Sequence, residues 1–268
     1  PVAVMQTESA MMRCVQGVLA ELKSEGVLYA ELRFAPGQHC RQGLSQENVV
    51  AAACRALAEG CRALGIQAQL ILCCMRGAPD AQNAETLRLA REYLGKGVCA
   101  ADLAGAEALF PTHSYAPLFA AVPGLPFTIH AGEADGPESI RAALAMGAKR
   151  IGHGVRCIED AALVAELAQK GIPLEVCPTS NLQTCTFADW AHHPLKTLLE
   201  AGVKVTVNSD NRTVSSTTAQ KEMALAAQHL GLSAAQQAQL WLNAADAAFL
   251  PEAQKQALRA DVQARLAG

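Results

Sequence analysis

Apolar runs typical of buried strands alternate with amphipathic helical segments along most of the chain. Short connections that contain glycine, proline or asparagine separate these runs. The predicted strands begin near residues 27, 67, 98, 125, 150, 173 and 204, and the chain after Val214 is predicted to be helical. Such alternation is typical of parallel strands joined by crossover helices, so the sequence predicts an α/β fold.

Composition limits both the organisation of the chain and its partners. The chain has 268 residues, of which 51% are hydrophobic, and it contains no low-complexity or linker-like segment. We therefore expect one domain, residues 1–268, with a large core. The net charge of −3 without a basic block disfavours nucleic acid and anionic membranes as partners. The sequence does not indicate an oligomeric state.

The cysteines indicate a reducing compartment. There are ten, several lie inside apolar runs, and none forms a Cys-x-x-Cys pair. We expect buried free thiols in a cytoplasmic protein, and no zinc site of the cytidine deaminase type. The chain also lacks the glycine-rich motifs of dinucleotide and nucleoside triphosphate sites.

Four polar residues with useful chemistry are predicted at the carboxyl ends of strands, namely Asp102, His130, His153 and Asp210. In a TIM (β/α)8 barrel this end of the strands carries the active site, and doubly wound sheets bind ligands at the same end. A closed barrel of this kind needs eight strands, whereas the sequence predicts seven.

Imidazole and carboxylate groups suit Zn²⁺, so His130 and Asp210 are candidate metal ligands. Glu133, three residues after His130, is a candidate general acid or base, and His153 between two glycines is a candidate for orienting water. Each residue also has an ordinary structural interpretation, as a capping, turn or backbone-bonded side chain. The five remaining histidines, at positions 39, 113, 192, 193 and 229, are expected at the surface.

Several segments together resemble the sequence blocks of the adenosine deaminase family, within the metal-dependent hydrolase superfamily. They occur in the order and spacing of that family over about residues 1 to 250. These segments are TIHAGE (128–133), RIGHG (150–154), LEVCPTSN (174–181), VNSD (207–210), VLYAELRFAP (27–36) and DLAGAE (102–107).

The resemblance implies a TIM (β/α)8 barrel enzyme of purine metabolism. In that family, zinc activates the water that attacks C6 of adenosine, giving inosine and ammonia. By motif, His130 and Asp210 correspond to zinc ligands, Glu133 to the group that protonates purine N1, and His153 to the residue that aligns the attacking hydroxide. Gly105 corresponds to a backbone contact with the purine edge.

The chain departs from the family pattern in two places. Many members have a second aspartate, which contacts purine N7, where this chain has Asn211. The family's first barrel strand also carries a His-x-His stretch with two further zinc ligands, and the chain has no such stretch. The first strand is therefore apparently missing from this chain, and residues 1–268 alone are expected to bind zinc weakly and to lack activity.

The leading hypothesis is zinc-dependent deamination of adenosine and deoxyadenosine in purine salvage. Two alternatives remain open. The enzyme could act on adenine or on another 6-aminopurine nucleoside, or the chain could be a non-catalytic truncated remnant.

Overall fold

The computed structural model describes residues 2–267, which contain seven β-strands and twelve α-helices. The strands are β1 (Tyr29–Phe34), β2 (Gln67–Met75), β3 (Val98–Ala104), β4 (Thr128–Ala131), β5 (Arg150–His153), β6 (Leu174–Val176) and β7 (Val205–Val207). The helices are α1 (Glu8–Ser24), α2 (Gln46–Leu64), α3 (Asp80–Glu92), α4 (Ala116–Ala120), α5 (Pro137–Met146), α6 (Ala161–Lys170), α7 (Pro178–Gln183), α8 (Leu195–Glu200), α9 (Arg212–Ser215), α10 (Ala219–Leu230), α11 (Ala234–Ala247) and α12 (Glu252–Ala267).

The first of two compact units comprises residues 2–105 and 115–127. Its strands form a parallel sheet in the order β1-β2-β3. Helix α2 begins at a capping box, in which Ser45 accepts from the Asn48 backbone N–H and the Asn48 side chain accepts from Ser45. The helix ends at Gly65, whose φ of 62° suits the left-handed cap. Local sequence signals therefore set both ends of this helix.

The second unit comprises residues 106–114 and 128–267. Its parallel sheet has the order β4-β5-β6-β7, and helix α11 packs against β7. There the buried Asn243 Nδ2 donates a hydrogen bond to the Val205 carbonyl at 2.9 Å. The expectation of one domain over residues 1–268 stays a prediction.

A buried ion pair joins β5 and β6 near their amino ends. Arg150 Nε lies 2.6 Å from Glu175 Oε1, and both side chains are less than 10% exposed. The same guanidinium donates to the Ala247 carbonyl at 2.8 Å and lies 3.8 Å above the Phe249 ring. Because each charge is paired and the guanidinium has further partners, this end of the sheet is well fixed.

The structure confirms the predicted strand–helix alternation but corrects one expectation about the histidines. Residues 178–181, which follow the sixth strand, form the first part of α7, because Pro178 suits the first helical position. His39 and His193, expected at the surface, are buried at 2% and 4% exposure. Within residues 2–267, none of the helices combines the length and hydrophobicity that a membrane crossing requires.

The closest approach between β4 and β5 gives a test of the sheet. A Cβ atom on Gly152 would lie 3.0 Å from His130 Cα, a backbone neighbour that cannot rotate away. We expect Gly152→Ala to lower the free energy of unfolding by about 1–3 kcal/mol through overpacking. The control is Gly17→Ala in α1, where the new methyl meets nothing within 4 Å and should stabilise the helix by about 0.5–1 kcal/mol. Urea unfolding of both variants decides, and equal effects would contradict the assigned packing.

Candidate active site

Parallel pairing of β4 with β5 brings His130 and His153 together. In the register of the two strands, His130 lies opposite Gly152 and Ala131 opposite His153. The centroids of the two imidazole rings are 5.2 Å apart. Because Gly152 has no side chain, the His130 backbone can approach β5 closely enough for this arrangement.

Two predicted site residues adopt the left-handed backbone region. His153 has φ 57° and Asp210 has φ 50°. Residues other than glycine rarely adopt this region, and such strain persists where the surrounding structure enforces it. His153 is the last residue of β5, and Asp210 follows β7, which ends at Val207. At both positions the backbone therefore leaves the extended conformation of a strand.

Glu133 directs its carboxylate at His153. Glu133 Oε2 lies 3.4 Å from His153 Nε2, and Glu133 Oε1 accepts a hydrogen bond from Thr184 Oγ1 at 3.2 Å. The Glu133 side chain is 20% exposed, whereas the His153 side chain is 3% exposed. A carboxyl group that contacts an imidazole and still reaches solvent can exchange a proton with a small ligand.

A second carboxylate, Glu107, holds the loop that carries Glu133. Glu107 Oε2 accepts the backbone N–H groups of Glu133, Ala134 and Asp135 at 3.0, 2.8 and 3.2 Å. Its Oε1 accepts the Gly132 N–H at 2.6 Å and the Ser139 hydroxyl at 2.5 Å.

Burial alone would raise the pKa of Glu107, but the hydrogen bonds from Ser139 and the loop backbone outweigh it. The pKa of Glu107 is therefore lowered from its ordinary value of 4.5, and the group is an ionised structural anchor at neutral pH. Sequence reasoning included Glu107 in a family-like segment but assigned it no role.

Asp210 lies in a group of potential metal ligands. The ligand atoms of His153, Cys177 and Asp210 all lie within 4.8 Å of one another. Asp210 Oδ2 also accepts a hydrogen bond from Ser180 Oγ at 2.7 Å. Nitrogen, sulfur and carboxylate oxygen are the donor types that bind zinc in proteins, so the donor chemistry around Asp210 suits a zinc ion.

Cys177, a member of this group, and Ser180, which donates to Asp210, were not predicted as site residues. They flank the start of α7, where the buried Glu222 side chain accepts the Thr179 N–H at 2.9 Å and the Thr217 hydroxyl at 2.5 Å. Their sequence signal was the LEVCPTSN segment, in which the cysteine resembled any other buried thiol.

The other predicted residues lie as follows. Gly105 follows β3 in the first unit and has φ 104°, which favours glycine. Asp102 is fully buried within β3 rather than at its end, and pairs with Arg33 at 3.3 Å.

Asn211 follows Asp210 directly, and its Oδ1 accepts the Val214 N–H at 3.1 Å. The Asn211 Nδ2 group takes no part in this bond and can donate to a ligand.

Parallel strands with alternating helices, and imidazole and carboxylate groups at or just after strand ends, are typical of α/β enzymes. Comparison with known proteins narrows this class. The sequence model of the adenosine deaminase family matches residues 1–265. The adenosine deaminase of Haemophilus ducreyi is 48% identical over 99% of this chain and 79% of its own length. The chain belongs to the adenosine deaminase family.

Solved structures agree on the fold. An adenine deaminase from Arthrobacter aurescens is 28% identical, with a TM-score of 0.90 over 98% of this chain and 81% of its own. ADAL from Arabidopsis, solved with GMP, is 28% identical, with a TM-score of 0.87 over 97% and 79%. An amidohydrolase from Burkholderia ambifaria, solved with bound zinc, is 21% identical, with a TM-score of 0.92 over 98% and 74%. The predicted α/β class of TIM (β/α)8 type is confirmed.

The Glu107 anchor gives a prediction about stability. In Glu107→Gln the new amide opposes backbone N–H groups or the Ser139 hydroxyl, so we expect a loss of about 3 kcal/mol in the free energy of unfolding at neutral pH. Because the folded-state pKa of Glu107 is lowered, its contribution exists above about pH 4.5 and is lost as pH falls through the folded pKa. The gap between wild type and variant should therefore shrink in acid.

Chemical unfolding at several pH values measures this gap. The matched control is Glu138→Gln, the same change at a side chain that is 87% exposed, with an expected effect below about 0.5 kcal/mol. Similar losses in the two variants would show that Glu107 is no anchor.

Proposed function

We propose that the protein hydrolyses adenosine and deoxyadenosine to inosine and deoxyinosine, releasing ammonia, in purine salvage. The observation that carries this proposal is that His153, at the end of β5, lies close both to Glu133, which follows β4, and to Asp210, which follows β7. The 48% identity to a relative named adenosine deaminase supports the choice of substrate.

A zinc ion is part of the proposal. We assign His130 and Asp210 as ligands, because both carry suitable donors and both match the family pattern. His153 is not assigned as a ligand, because its Nε2 faces Glu133 at 3.4 Å. Cys177 is not assigned either, because its Sγ donates to the Glu175 carbonyl at 3.4 Å and therefore carries a proton. Bound zinc would lower the pKa of a water molecule so that the water can attack near neutral pH.

The chain's own residues would do the remaining work. Glu133 gives a proton to purine N1, which makes C6 electrophilic, while His153 aligns the attacking water. The water oxygen forms a bond to C6, and its two protons pass one to the amino group and one back to Glu133. The C6–N bond then breaks and the amino group leaves as ammonia, while N1 keeps the proton that Glu133 gave. Asn211 Nδ2 donates to purine N7, and the Gly105 backbone contacts the purine edge.

The cellular setting is also a proposal. All ten cysteines lie in the described part of the chain and are free thiols, which supports a cytoplasmic location. The partner we propose is a small purine nucleoside.

The proposal is tested by following the ultraviolet change of adenosine, deoxyadenosine and adenine with the purified full-length protein. Turnover of the two nucleosides, with little of adenine, is expected. Because a solved relative is an adenine deaminase, preference for the free base would replace the proposed substrate.

The 7-deaza analogue of adenosine should be a poorer substrate for wild type, but no poorer than adenosine for Asn211→Ala if Asn211 contacts N7.

Glu133 is predicted to act as a proton donor and not as a metal ligand. Glu133→Gln keeps the size of the side chain but loses the acid, so we expect kcat to fall by about 10²–10⁴ with zinc content unchanged. Steady-state kinetics and metal analysis measure the two effects, and Glu138→Gln is the exposed control. A variant that retains wild-type kcat would remove Glu133 from the mechanism.

The metal ligands and the water-aligning residue should separate by metal content. Asp210→Ala and His130→Ala each remove a proposed donor and should lower the zinc bound per chain. His153→Ala should lower the rate much more than the zinc content. Elemental analysis after identical purification decides, and full zinc occupancy in Asp210→Ala would exclude Asp210 as a ligand.

A further inference from the structure

A buried hydrogen-bond network lies on the Nδ1 side of the His153 ring, away from Glu133. Asn181 is 0% exposed, His153 2% and His193 4%. Asn181 Nδ2 lies 3.0 Å from His153 Nδ1, and Asn181 Oδ1 lies 3.5 Å from His193 Nε2. The last hydrogen bond of this network joins the Leu195 backbone N–H to His193 Nδ1 at 3.3 Å.

The direction of each hydrogen bond in this network follows from the last donor, the Leu195 backbone N–H. A backbone N–H can only donate, so His193 Nδ1 is the acceptor and its proton is on Nε2. His193 Nε2–H then donates to Asn181 Oδ1, which leaves Asn181 Nδ2 to face His153. An amide NH₂ group donates as well, so His153 Nδ1 accepts and the ring proton of His153 is on Nε2.

We propose that Asn181 and His193 are positioning residues that hold His153 as the tautomer with its proton on Nε2, facing Glu133. The Nε2–H group can then donate to a Glu133 carboxyl oxygen, or to a water oxygen held between the two side chains. In the opposite tautomer, the Nδ1–H group of His153 would face the Asn181 Nδ2 donor at 3.0 Å. Those two donors would repel each other.

The surroundings of His193 keep its ring neutral and so fix the directions of the hydrogen bonds in the network. The His193 ring packs against the rings of Phe187 and Trp190, at centroid distances of 5.5 and 5.9 Å. Burial lowers the pKa of His193 to about 4, so the ring is neutral at neutral pH and keeps one donor and one acceptor. The side chain of the neighbouring His192 is 71% exposed and pairs with Asp189, so His192 takes no part in this hydrogen-bond network.

The tautomer can be observed without substrate or metal. Long-range ¹H–¹⁵N correlation spectra of the zinc-free protein, labelled at histidine nitrogen, distinguish a protonated ring nitrogen from a bare one. The His153 signals are assigned by their loss in His153→Gln. We expect a protonated Nε2 and a bare Nδ1 in wild type. The isosteric Asn181→Asp presents only acceptors, so it should draw a proton onto His153 Nδ1.

The kinetic arm rests on the proposed function of His153. His193→Phe keeps an aromatic ring between Phe187 and Trp190 but removes the donor, and we expect kcat to fall about 10- to 100-fold with KM changed less than about threefold. His193→Gln restores a donor near the Nε2 position and should recover most of the rate. His192→Phe, the same change one residue earlier, should behave as wild type.

Each outcome bears on the proposal. A protonated Nδ1 on His153 in wild type would overturn it, as would Asn181→Asp with unchanged ring protonation. Equal rates for His193→Phe and His193→Gln would show that His193 only fills space. Failure of the proposed function is distinguishable, because wild type would then lack deaminase activity while the spectra still report the tautomer.

Discussion

The close parallel pairing of β4 with β5 is the constraint on which the candidate site depends. Gly152 leaves room for the His130 backbone, and the resulting register places Ala131 opposite His153. A side chain at position 152 would push His130 away from β5, and with it the loop that carries Glu133. One missing Cβ atom therefore sets the spacing between the proposed ligand, the proposed acid and the imidazole that they adjoin.

Buried carboxylates that take no part in the proposed chemistry support this arrangement. Glu107 gathers four consecutive backbone N–H groups of the loop after β4, and Glu222 holds the start of α7. Glu175 pairs with Arg150 at the other end of the sheet. Hydrogen-bond donors occupy both carboxylate oxygens of Glu107 and Glu222, and a guanidinium pairs with Glu175, whereas Glu133 stays partly exposed. Similar side chains thus serve as anchor or as acid according to the donors around them.

Sequence patterns predicted the strands and helices well, because apolar runs and capping residues are local signals. They also indicated His130, Glu133, His153 and Asp210, since each follows or ends an apolar run. Asn181 and His193 could not be found this way, because their partners come from distant segments. His193 was expected at the surface, beside the exposed His192, whereas in the structure it is buried and its ring packs against two aromatic rings. The left-handed backbone of His153 and Asp210 likewise has only a weak local signal, because histidine and aspartate adopt this region more often than most residues but still rarely.

That left-handed backbone makes the site a compromise between stability and activity. Each such position costs about 1–2 kcal/mol relative to glycine, which adopts the same dihedral angles without strain. Glycine at either position would relax the fold while removing a functional side chain. Selection for thermal resistance alone would therefore favour variants with a damaged site, and a screen for stabilised forms of this protein needs an activity readout at every round.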